Sequence, residues 1–287
     1  MKESYTGNGT VALIAGGGKV YADIAARFCS SERPLSEIIA SPYSPGIVHN
    51  LVSSGHLAAL EFDYFIFGVE GYSRVCEAQL VRKRLASYMI KSGRFQLGNK
   101  REFSVVYPKP VALYTSNITL PDGHKTVLSG SQLAEIIEQW YTHASTGGMK
   151  DEDLRYLKPQ ATEFRAIIGM NAHALRDWFM IRCCRNAQAE IRDMAWKMLK
   201  LCQQHAPDLF EGAGPSCEVL GYCPEGDRQN KHCARPTRQE AKMILDAYVI
   251  SKKTEALNRL NDEMYAEYNA LAEKFEAFKK AQEDCNE

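Results

Sequence analysis

The chain has 287 residues, and its 35 lysine and arginine residues balance its 35 aspartate and glutamate residues, which gives a formal net charge of zero. A neutral chain has no overall field that would draw it onto nucleic acid or an anionic membrane, so we expect neither as a partner. The sequence has no uninterrupted apolar run of membrane-spanning length and no secretory signal pattern, which predicts a cytoplasmic protein. Nine cysteines in a chain of this length do not resemble the paired framework of a small secreted domain, and we expect most of them to be reduced.

The first predicted element is a short apolar strand that begins at Thr10 and ends at a glycine turn in residues 16–18. A helix with apolar residues at Val20, Ile24 and Phe28 follows the turn. Glycine loops between a strand and a helix can bind phosphate, but the spacing here matches neither GxxxxGK(S/T) nor GxGxxG. We interpret the glycines as a simple turn, and a phosphate cradle stays the alternative.

Two further elements are predicted before residue 90. Residues 56–67, HLAALEFDYFIF, combine a short apolar helix with a β-rich run, and residues 70–87, EGYSRVCEAQLVRKRLAS, have the periodicity of an amphipathic helix. Gln79 and Arg82 lie three residues apart, so we expect them to project together at the edge of the core. The residues predicted on the buried face of this helix are Val75, Ala78, Val81 and Leu85.

The second half of the chain is predicted to be mainly helical. The predicted elements are a strand broken by two prolines at 102–114, helices at 131–145, 151–158 and 170–202, an irregular segment at 202–238 and a long charged helix at 238–281. The stripe predicted to be buried on the helix at 170–202 contains Leu175, Phe179, Cys183, Ala187, Ile191 and Met194, with Arg182 off the stripe. The last helix has a near-heptad pattern, which predicts a packing seam within or between subunits. The seam residues are Leu257, Leu260, Met264, Tyr268, Leu271, Phe275 and Phe278.

Residues 79–94, QLVRKRLASYMIKSGR, carry five cationic side chains in sixteen positions. The three arginines of this stretch favour phosphate recognition, because a planar guanidinium presents paired donors. Ser92 and Gly93 stand directly before Arg94 and offer a hydroxyl and an unobstructed backbone N–H to an anion. The residues alone therefore favour binding of a phosphorylated small molecule, while a solvated helix face and a nucleic-acid contact stay open as alternatives.

The spacing Arg-x-Arg, seven residues and Ser, from Arg82 through Arg84 to Ser92, resembles the signature of the flavin-dependent thymidylate synthases, the ThyX family. Further blocks occur in that family's order and approximate spacing, so the resemblance extends over roughly residues 10–225. These blocks are AARFCSS, GHLAALE, FGVEGYSR, DLRYLKPQAT, and MNAHAL with IRCCRNAQAEIR.

The resemblance implies an α+β fold of the ThyX type, in which an antiparallel or mixed sheet packs with long helices. It implies FAD as cofactor, dUMP as substrate, and NADPH and methylenetetrahydrofolate as co-substrates in the conversion of dUMP to dTMP. It also implies a homotetramer whose sites lie between subunits. We expect a catalytic domain at residues 1–210, a Cys-, Gly- and Pro-rich irregular segment at 211–237 and a long helix at 238–287 that serves packing or oligomerisation.

The functional residues of the family carry over onto matching positions of this chain. Arg182 matches the catalytic arginine that faces the uracil and favours ionisation at N3, and a permanently charged guanidinium can stabilise such an anion. The alternative for Arg182 is a surface cation paired with an acid. The positions that the resemblance assigns to dUMP are Gln79, Arg82, Ser92, Gly93, Arg94, Arg155 and Arg182. The positions that it assigns to FAD are Arg82, Lys83, Arg84, Asn171, His173 and Asp177.

The positions on the flavin side depart from the family pattern. Lys83 replaces the motif histidine, and it can pair with a pyrophosphate as a point charge but cannot stack like an imidazole. The other departures are Phe62 for histidine, Ile66 for threonine, Met89 and Ile90 at usually polar positions, and His173 where many members have arginine. The alternative to an active synthase is therefore a relative that acts on another pyrimidine nucleotide or that binds a nucleotide without catalysis.

A zinc site is a minor alternative in the irregular segment. Cys217, Cys223, His232 and Cys233 are suitable ligand types, but their spacing fits no standard finger, and we expect no metal. The scattered histidines have no acid and nucleophile at recognisable spacing, which argues against a hydrolase triad.

Overall fold

The computed structural model of the protein describes residues 2–18, 20–92 and 104–284. These residues form two compact units. The first contains the residues up to Leu220 together with Asn230–Cys233, and the second contains Gly221–Gln229 and the residues from Ala234 onward. Two of the predicted site residues, Gly93 and Arg94, lie outside the described residues, and all the others belong to the first unit.

Eight strands in the described part of the chain form three sheets. In chain order they are β1 Lys2–Tyr5, β2 Thr10–Ala15, β3 Tyr64–Ser73, β4 Ser87–Ile90, β5 Ser104–Tyr107, β6 Thr115–Thr119, β7 Lys125–Ser129 and β8 Glu163–Asn171. The largest sheet is antiparallel and has the strand order β2-β3-β8-β4. β1 and β5 pair in parallel, and β6 and β7 form an antiparallel hairpin.

Twelve α-helices accompany these strands in the same described ranges. They are α1 Val20–Ser30, α2 Leu35–Ala40, α3 Pro45–Ser54, α4 Arg74–Leu80, α5 Lys109–Leu113, α6 Gly130–Thr146, α7 Asp151–Leu154, α8 Ala172–Arg182, α9 Ala189–His205, α10 Pro207–Phe210, α11 Ser216–Leu220 and α12 Arg238–Asp284. Short 3₁₀ helices occupy Leu57–Phe62, Arg155–Leu157 and Gly226–Arg228. Sheets of mixed pairing combined with these helices confirm the predicted α+β class.

The core of the first unit lies between the large sheet and the helices α8 and α9. Successive residues of a strand point to opposite faces, so Phe65, Phe67 and Val69 of β3 are buried on the same side. Phe179 of α8 and Met194 of α9 belong to the same buried cluster and are both fully covered. Each large apolar side chain buried in this way contributes about 1.5–3 kcal/mol, so the cluster fixes α8 and α9 against the sheet.

The prediction of one continuous helix at residues 170–202 is wrong. Met170 and Asn171 end β8, and Asn171 then caps α8 by accepting a 2.7 Å hydrogen bond from the backbone N–H three residues later. After α8 the chain turns before α9 begins, and Trp196 Nε1 stabilises that turn by donating to Cys183 O over 3.1 Å. The buried stripe was nevertheless predicted correctly: Leu175, Phe179, Cys183, Ile191 and Met194 are buried, and Ala187 is half-buried.

The predicted amphipathic helix at residues 70–87 is shorter than expected, and its predicted buried face is wrong. α4 ends at Leu80 and buries Cys76 and Leu80. The four residues predicted to be buried, Val75, Ala78, Val81 and Leu85, are all exposed in the single chain. The helix starts at the cap residue Ser73, which accepts a hydrogen bond from Cys76 N, and this start directs Cys76 rather than Val75 inward.

The connection between β2 and α1 supports the simple turn over the phosphate cradle. A Cβ on Gly16 would lie 2.5 Å from His205 Cδ2, and a Cβ on Gly17 would lie 2.8 Å from Asp63 Cβ. Asp63 in turn accepts a 2.9 Å hydrogen bond from Ala22 N at the start of α1. Close packing against neighbouring side chains therefore accounts for Gly16 and Gly17.

Two other local predictions need correction. The strand predicted at 102–114 ends at Tyr107, and the chain continues as α5, with Pro110 in the first helical turn, where a missing N–H is tolerated. The helix predicted at 151–158 consists of the short α7 followed by the 3₁₀ helix Arg155–Leu157. The predicted helix at 131–145 is confirmed by α6, whose N-terminus is closed by a capping box.

The predicted long C-terminal helix is confirmed by α12. It begins with a reciprocal cap, in which Thr237 Oγ1 accepts a 3.3 Å hydrogen bond from Glu240 N and Glu240 Oε2 accepts a 2.7 Å hydrogen bond from Thr237 N. The predicted seam residues up to Leu271 are exposed in the single chain, while Phe275 and Phe278 lie outside the side chains that are described. Over the described ranges, no helix combines the length and apolar character that crossing a membrane requires.

Candidate active site

Arg182 and Gln79, which are 103 positions apart in the chain, are in contact. Arg182 is the last residue of α8, and Gln79 lies one residue before the end of α4. The guanidinium donates from Nη1 to Gln79 Oε1 over 3.4 Å and from Nη2 to Gln79 O over 3.2 Å. Among the described residues no carboxylate pairs with Arg182, which argues against the surface ion pair, and its remaining N–H donors can serve a ligand.

A buried carboxylate fixes the beginning of α4. Glu190 of α9 is 1% exposed, and it accepts hydrogen bonds from Ser73 N and, over 2.6 Å, from Ser73 Oγ. A buried carboxylate is tolerated only when donors compensate for its lost hydration, as these two do. The contact joins α9 to α4 and thereby positions Gln79 for its contact with Arg182.

Tyr88 stabilises the turn that follows α4. This turn contains the basic motif. The Tyr88 hydroxyl lies 2.8 Å from Leu80 O and 2.9 Å from Lys83 O and donates to these carbonyls. Burial raises the pKa of Tyr88 to about 12, although the positive charge of Arg182 opposes the rise. The phenol therefore stays protonated near neutral pH and remains a donor.

Lys83, His173, Asp177 and Glu61 form a cluster of basic and acidic side chains, here called the Lys83 cluster. Lys83 Nζ lies 3.5 Å from Asp177 Oδ2, and His173 Nδ1 lies 3.1 Å from Glu61 Oε1. His173 Nε2 lies 4.0 Å from Asp177 Oδ1, one helical turn away on α8. Lys83 is only 18% exposed, so its charge is partly removed from water and is balanced by Asp177. Three of the residues assigned to FAD are thus adjacent, and Asn171 lies just before them as the cap of α8.

Arg82, Arg84 and Arg155 are exposed cations. Their side chains form no hydrogen bond or ion pair with any residue that the structure describes, in contrast to Lys83. Ser92 is also exposed, just beyond β4. Arginines without a protein partner have all their donors available for an anion such as a phosphate. Within one chain the structure therefore brings Gln79 and Arg182 together but does not join these arginines to them.

Comparisons with known proteins identify the family of this chain. The family model described as thymidylate synthase complementing protein matches residues 17–208, which is more than half of the chain. A flavin-dependent thymidylate synthase of Nitratidesulfovibrio vulgaris is 37% identical over 210 residues, covering 72% of this chain and 83% of the relative. One of Geobacter sulfurreducens is 34% identical over 206 residues, covering 71% of this chain and 84% of the relative. The chain belongs to the flavin-dependent thymidylate synthase family.

A solved structure shows that the fold extends to a more distant protein. The UMP/dUMP methylase PolB from Streptomyces cacaoi, bound with 5-Br dUMP, superposes with a TM-score of 0.59 at 18% identity. The likeness covers 74% of this chain and 96% of PolB. The match supports the ThyX-like fold that the sequence predicts.

The positions that depart from the family pattern with apolar residues differ in how far they are buried. Phe62 ends the 3₁₀ helix Leu57–Phe62 and is 67% exposed, and Met89 of β4 is 74% exposed. Ile66 and Ile90 are half-buried in β3 and β4. Met89 also lines an open groove of about 440 Å³ on the outer face of the sheet. Phe62 and Met89 therefore lie at the surface of the single chain, whereas Ile90 packs against the hydrophobic core.

Sequence reasoning missed three residues that organise the site: Glu190, Tyr88 and Glu61. Glu190 directly precedes the stripe residue Ile191, and a carboxylate beside a buried stripe is a signal for a buried hydrogen bond. Glu61 gave no such signal, because only the fold brings it to His173, 112 positions away. Tyr88 gave none because its partners are backbone carbonyls, which every residue has.

The zinc alternative receives no support from the geometry. Within the described ranges, no group of three or more His, Cys, Asp or Glu side chains is arranged to hold a metal ion.

Proposed function

We propose that this chain is a flavin-dependent thymidylate synthase, which converts dUMP to dTMP with methylenetetrahydrofolate as the carbon donor, FAD as the cofactor and NADPH as the reductant. Family membership supports the reaction class. The observation that carries the proposal is the pair of hydrogen bonds that orients the Arg182 guanidinium on Gln79.

In this proposal Arg182 activates the pyrimidine. Its permanent positive charge stabilises negative charge that develops on the uracil ring, and this makes C5 nucleophilic. Cys76 is the thiol whose pKa responds to the Arg182 charge, but burial raises that pKa far above its usual range. A buried, protonated thiol is a poor nucleophile, so activation by Arg182 without a cysteine adduct fits the chain better.

The nucleotide phosphate and sugar have a set of donors near the motif. We assign this set to Gln79, Arg82, Ser92, Gly93, Arg94 and Arg155, of which Gly93 and Arg94 lie outside the described residues. The exposure of Arg82 and Arg155 without a partner in the described part of the chain supports the assignment, because each can offer a bidentate fork to a phosphate.

The residues on the other side of the motif suit FAD by their donor chemistry. Arg82, Lys83 and Arg84 are three successive cations that can pair with a pyrophosphate, and Asn171, His173 and Asp177 complete the assigned set. Lys83 Nζ lies 3.5 Å from Asp177 Oδ2, so Asp177 and the cofactor would both interact with the positive charge of the lysine. Reduced FAD would supply the hydride that turns the transferred methylene into a methyl group.

We also propose a cytoplasmic homotetramer with its sites between subunits and with residues 1–210 as the catalytic domain. Two observations support sites that need a second subunit. The motif arginines are exposed and have no partner among the described residues of the same chain. The outward face of α4 is apolar, with Val75 and Val81 each 41% exposed and Leu85, in the turn that follows, 71% exposed.

A second candidate function is kept because of the flavin-side departures. Lys83, Phe62, Ile66, Met89 and Ile90 replace residues of different chemistry, whereas Gln79 and Arg182 are both present and in contact. A chain of this kind could act on another pyrimidine nucleotide or bind a nucleotide without catalysis.

The visible absorption spectrum of the purified protein separates the two candidates. The spectrum is recorded before and after addition of FAD, then of dUMP, and then of NADPH. Methylenetetrahydrofolate is added last as the carbon donor, and dTMP is assayed at the end. A bound flavin that is bleached by NADPH, with dTMP formed, supports the synthase. A colourless protein that binds dUMP and forms no dTMP would reject it in favour of the second candidate.

A further inference from the structure

The helix α12 lies beyond the region that matches the family, which ends at residue 208. It presents apolar side chains to solvent along one line. Met243, Ile250, Leu257, Met264 and Leu271 are each at least 61% exposed. Large apolar side chains that recur along one line of an exposed helix are typical of a helix that packs against a partner.

These five residues recur at intervals of seven and mark the d position of an unbroken heptad. The a positions, four residues after each d, hold Ala247, Thr254, Asn261 and Tyr268. From Met243 to Leu271 the pattern runs for four heptads, or roughly 42 Å of helix. Apolar d positions sustained over three to four heptads favour a coiled coil, and Thr254 and Asn261 make the a positions of this one partly polar.

Charges at the g positions select the partner and its direction. These positions hold Asp246, Lys253, Leu260, Glu267 and Lys274, so their charges read negative, positive, neutral, negative, positive. In an antiparallel pair the g positions of the two helices face each other. With Leu260 opposite its own copy, Asp246 faces the partner's Lys274 and Lys253 faces the partner's Glu267. Each pair occurs twice, and no like charges meet.

A parallel pair lacks this complementarity. There each g position faces the e position of the partner's next heptad. The facing residues would be Asp246 with the partner's Ser251, Lys253 with the partner's Asn258, and Glu267 with the partner's Ala272. None of these is a pair of opposite charges.

The polar residue in the seam fits the antiparallel register. Asn261 occupies an a position, where a polar side chain costs stability but fixes the register. When the helices align around Arg259, Asn261 lies beside Asn258 of the partner subunit, so the amides near the two-fold axis can bond to each other. A parallel pair would place Asn261 beside its own copy, where the two amides could bond as well. Asn261 therefore does not decide the direction of the pair, and the charges at the g positions do.

We propose that α12 pairs with α12 of a second copy of this chain as an antiparallel two-helix coiled coil centred near Arg259. The helix belongs to the second unit and the candidate active site to the first, and the proposal does not depend on the proposed function.

Distances between labels on the full-length protein test the direction of the pair. Spin labels are introduced one at a time through an unnatural amino acid, because the chain already has nine cysteines. The outward f positions Lys252, Arg259 and Glu273 are suitable. The antiparallel pair predicts axial separations of about 0 Å at 259, about 21 Å at 252 and about 42 Å at 273, from a rise of 1.5 Å per residue. Equal short separations at all three positions would mean a parallel pair, and no inter-chain distance would mean no pairing; both overturn the proposal.

A charge swap tests the partner contacts independently. Lys253→Glu and Glu267→Lys each turn two attractive pairs into repulsive ones, so each should weaken the pairing about 4- to 30-fold at low salt. The double variant restores opposite charges and should recover the short distance between labels at Arg259. Single variants without effect, or a double variant without recovery, would overturn the proposal. Ser251→Ala, at an e position that faces no charge in the antiparallel register, serves as the matched control and should leave the distance unchanged.

Discussion

Replacing Arg182 by alanine should remove activity while leaving the fold largely intact. The structure gives the cost to stability: two hydrogen bonds to Gln79, of 3.4 and 3.2 Å, are lost from a half-buried position. At a net 0.5–1 kcal/mol each, the free energy of unfolding falls by about 1–2 kcal/mol. For a domain of about 200 residues this corresponds to a decrease in Tm of roughly 2–6 °C.

The effect on turnover should be much larger. A donor aimed at developing charge in a catalytic site contributes about 10²–10³ in kcat, and Arg182 also supplies a full positive charge. We therefore expect Arg182→Ala to lower the rate of dTMP formation at saturating dUMP at least 100-fold. Arg182→Lys keeps the charge but loses the planar fork, so its activity should lie between that of the wild type and that of Arg182→Ala.

Arg192→Ala is the matched control for this substitution. Arg192 is also half-buried, and it also donates two hydrogen bonds, to Arg185 O over 3.0 Å and to Ala187 O over 2.9 Å. The control should lose similar stability and keep its turnover. If Arg182→Ala retained a tenth or more of the wild-type rate, or if the control lost as much activity, the role assigned to Arg182 would be refuted.

Three further substitutions test the surroundings of the site. Lys83→Ala should weaken FAD binding about tenfold, because a charge-assisted hydrogen bond is lost from a lysine that also pairs with Asp177. A fluorescence titration measures the FAD affinity, and an unchanged affinity would count against the assignment. Tyr88→Phe should cost about 0.5–1.5 kcal/mol at pH 7. Because burial raises the folded pKa of Tyr88 from 10.0 to about 12, its contribution is complete below pH 10 and is lost as pH rises through 12. Denaturant unfolding should therefore show less alkaline loss of stability in Tyr88→Phe than in the wild type. Glu190→Ala should cost about 2–4 kcal/mol, since two buried donors of Ser73 lose their acceptor, and a double-mutant cycle with Ser73→Ala should show strong coupling. Additive effects in that cycle would contradict the contact.

Residue types at fixed spacing were enough to single out two residues that the fold brings together. The Arg82, Arg84 and Ser92 spacing led to the family, and through it to Arg182 and Gln79, which the structure places in contact. Local periodicity did not reveal the hydrogen bonds that position these residues. The start of α4 depends on Glu190, which is distant in the chain, and only the fold brings the two segments together.

The errors in secondary structure have the same origin. Met170 and Asn171 open a stretch without Gly or Pro and were therefore assigned to the helix. The sheet captures them instead, because they pair with Phe65 and Tyr64 of β3. The apolar stripe of 70–87 was assigned to the core because a single sequence does not distinguish burial inside a chain from burial between subunits. Val75, Val81 and Leu85 have the pattern of a buried face and are exposed in one chain, as the proposed contact with a second subunit would require.

The two halves of the site should respond differently to mutation, because they are held in different ways. Arg182 is oriented by hydrogen bonds to Gln79 that belong to the body of the fold, so the pyrimidine-facing half is preorganised by α4 and α8. Lys83 is oriented by Asp177, a partly exposed carboxylate with which a cofactor pyrophosphate must compete. Substitutions on the flavin side can therefore accumulate without displacing Arg182. We expect Lys83→Ala to leave the dUMP affinity measured by calorimetry unchanged while FAD binding falls, and a parallel loss of dUMP affinity would show that the two halves are coupled.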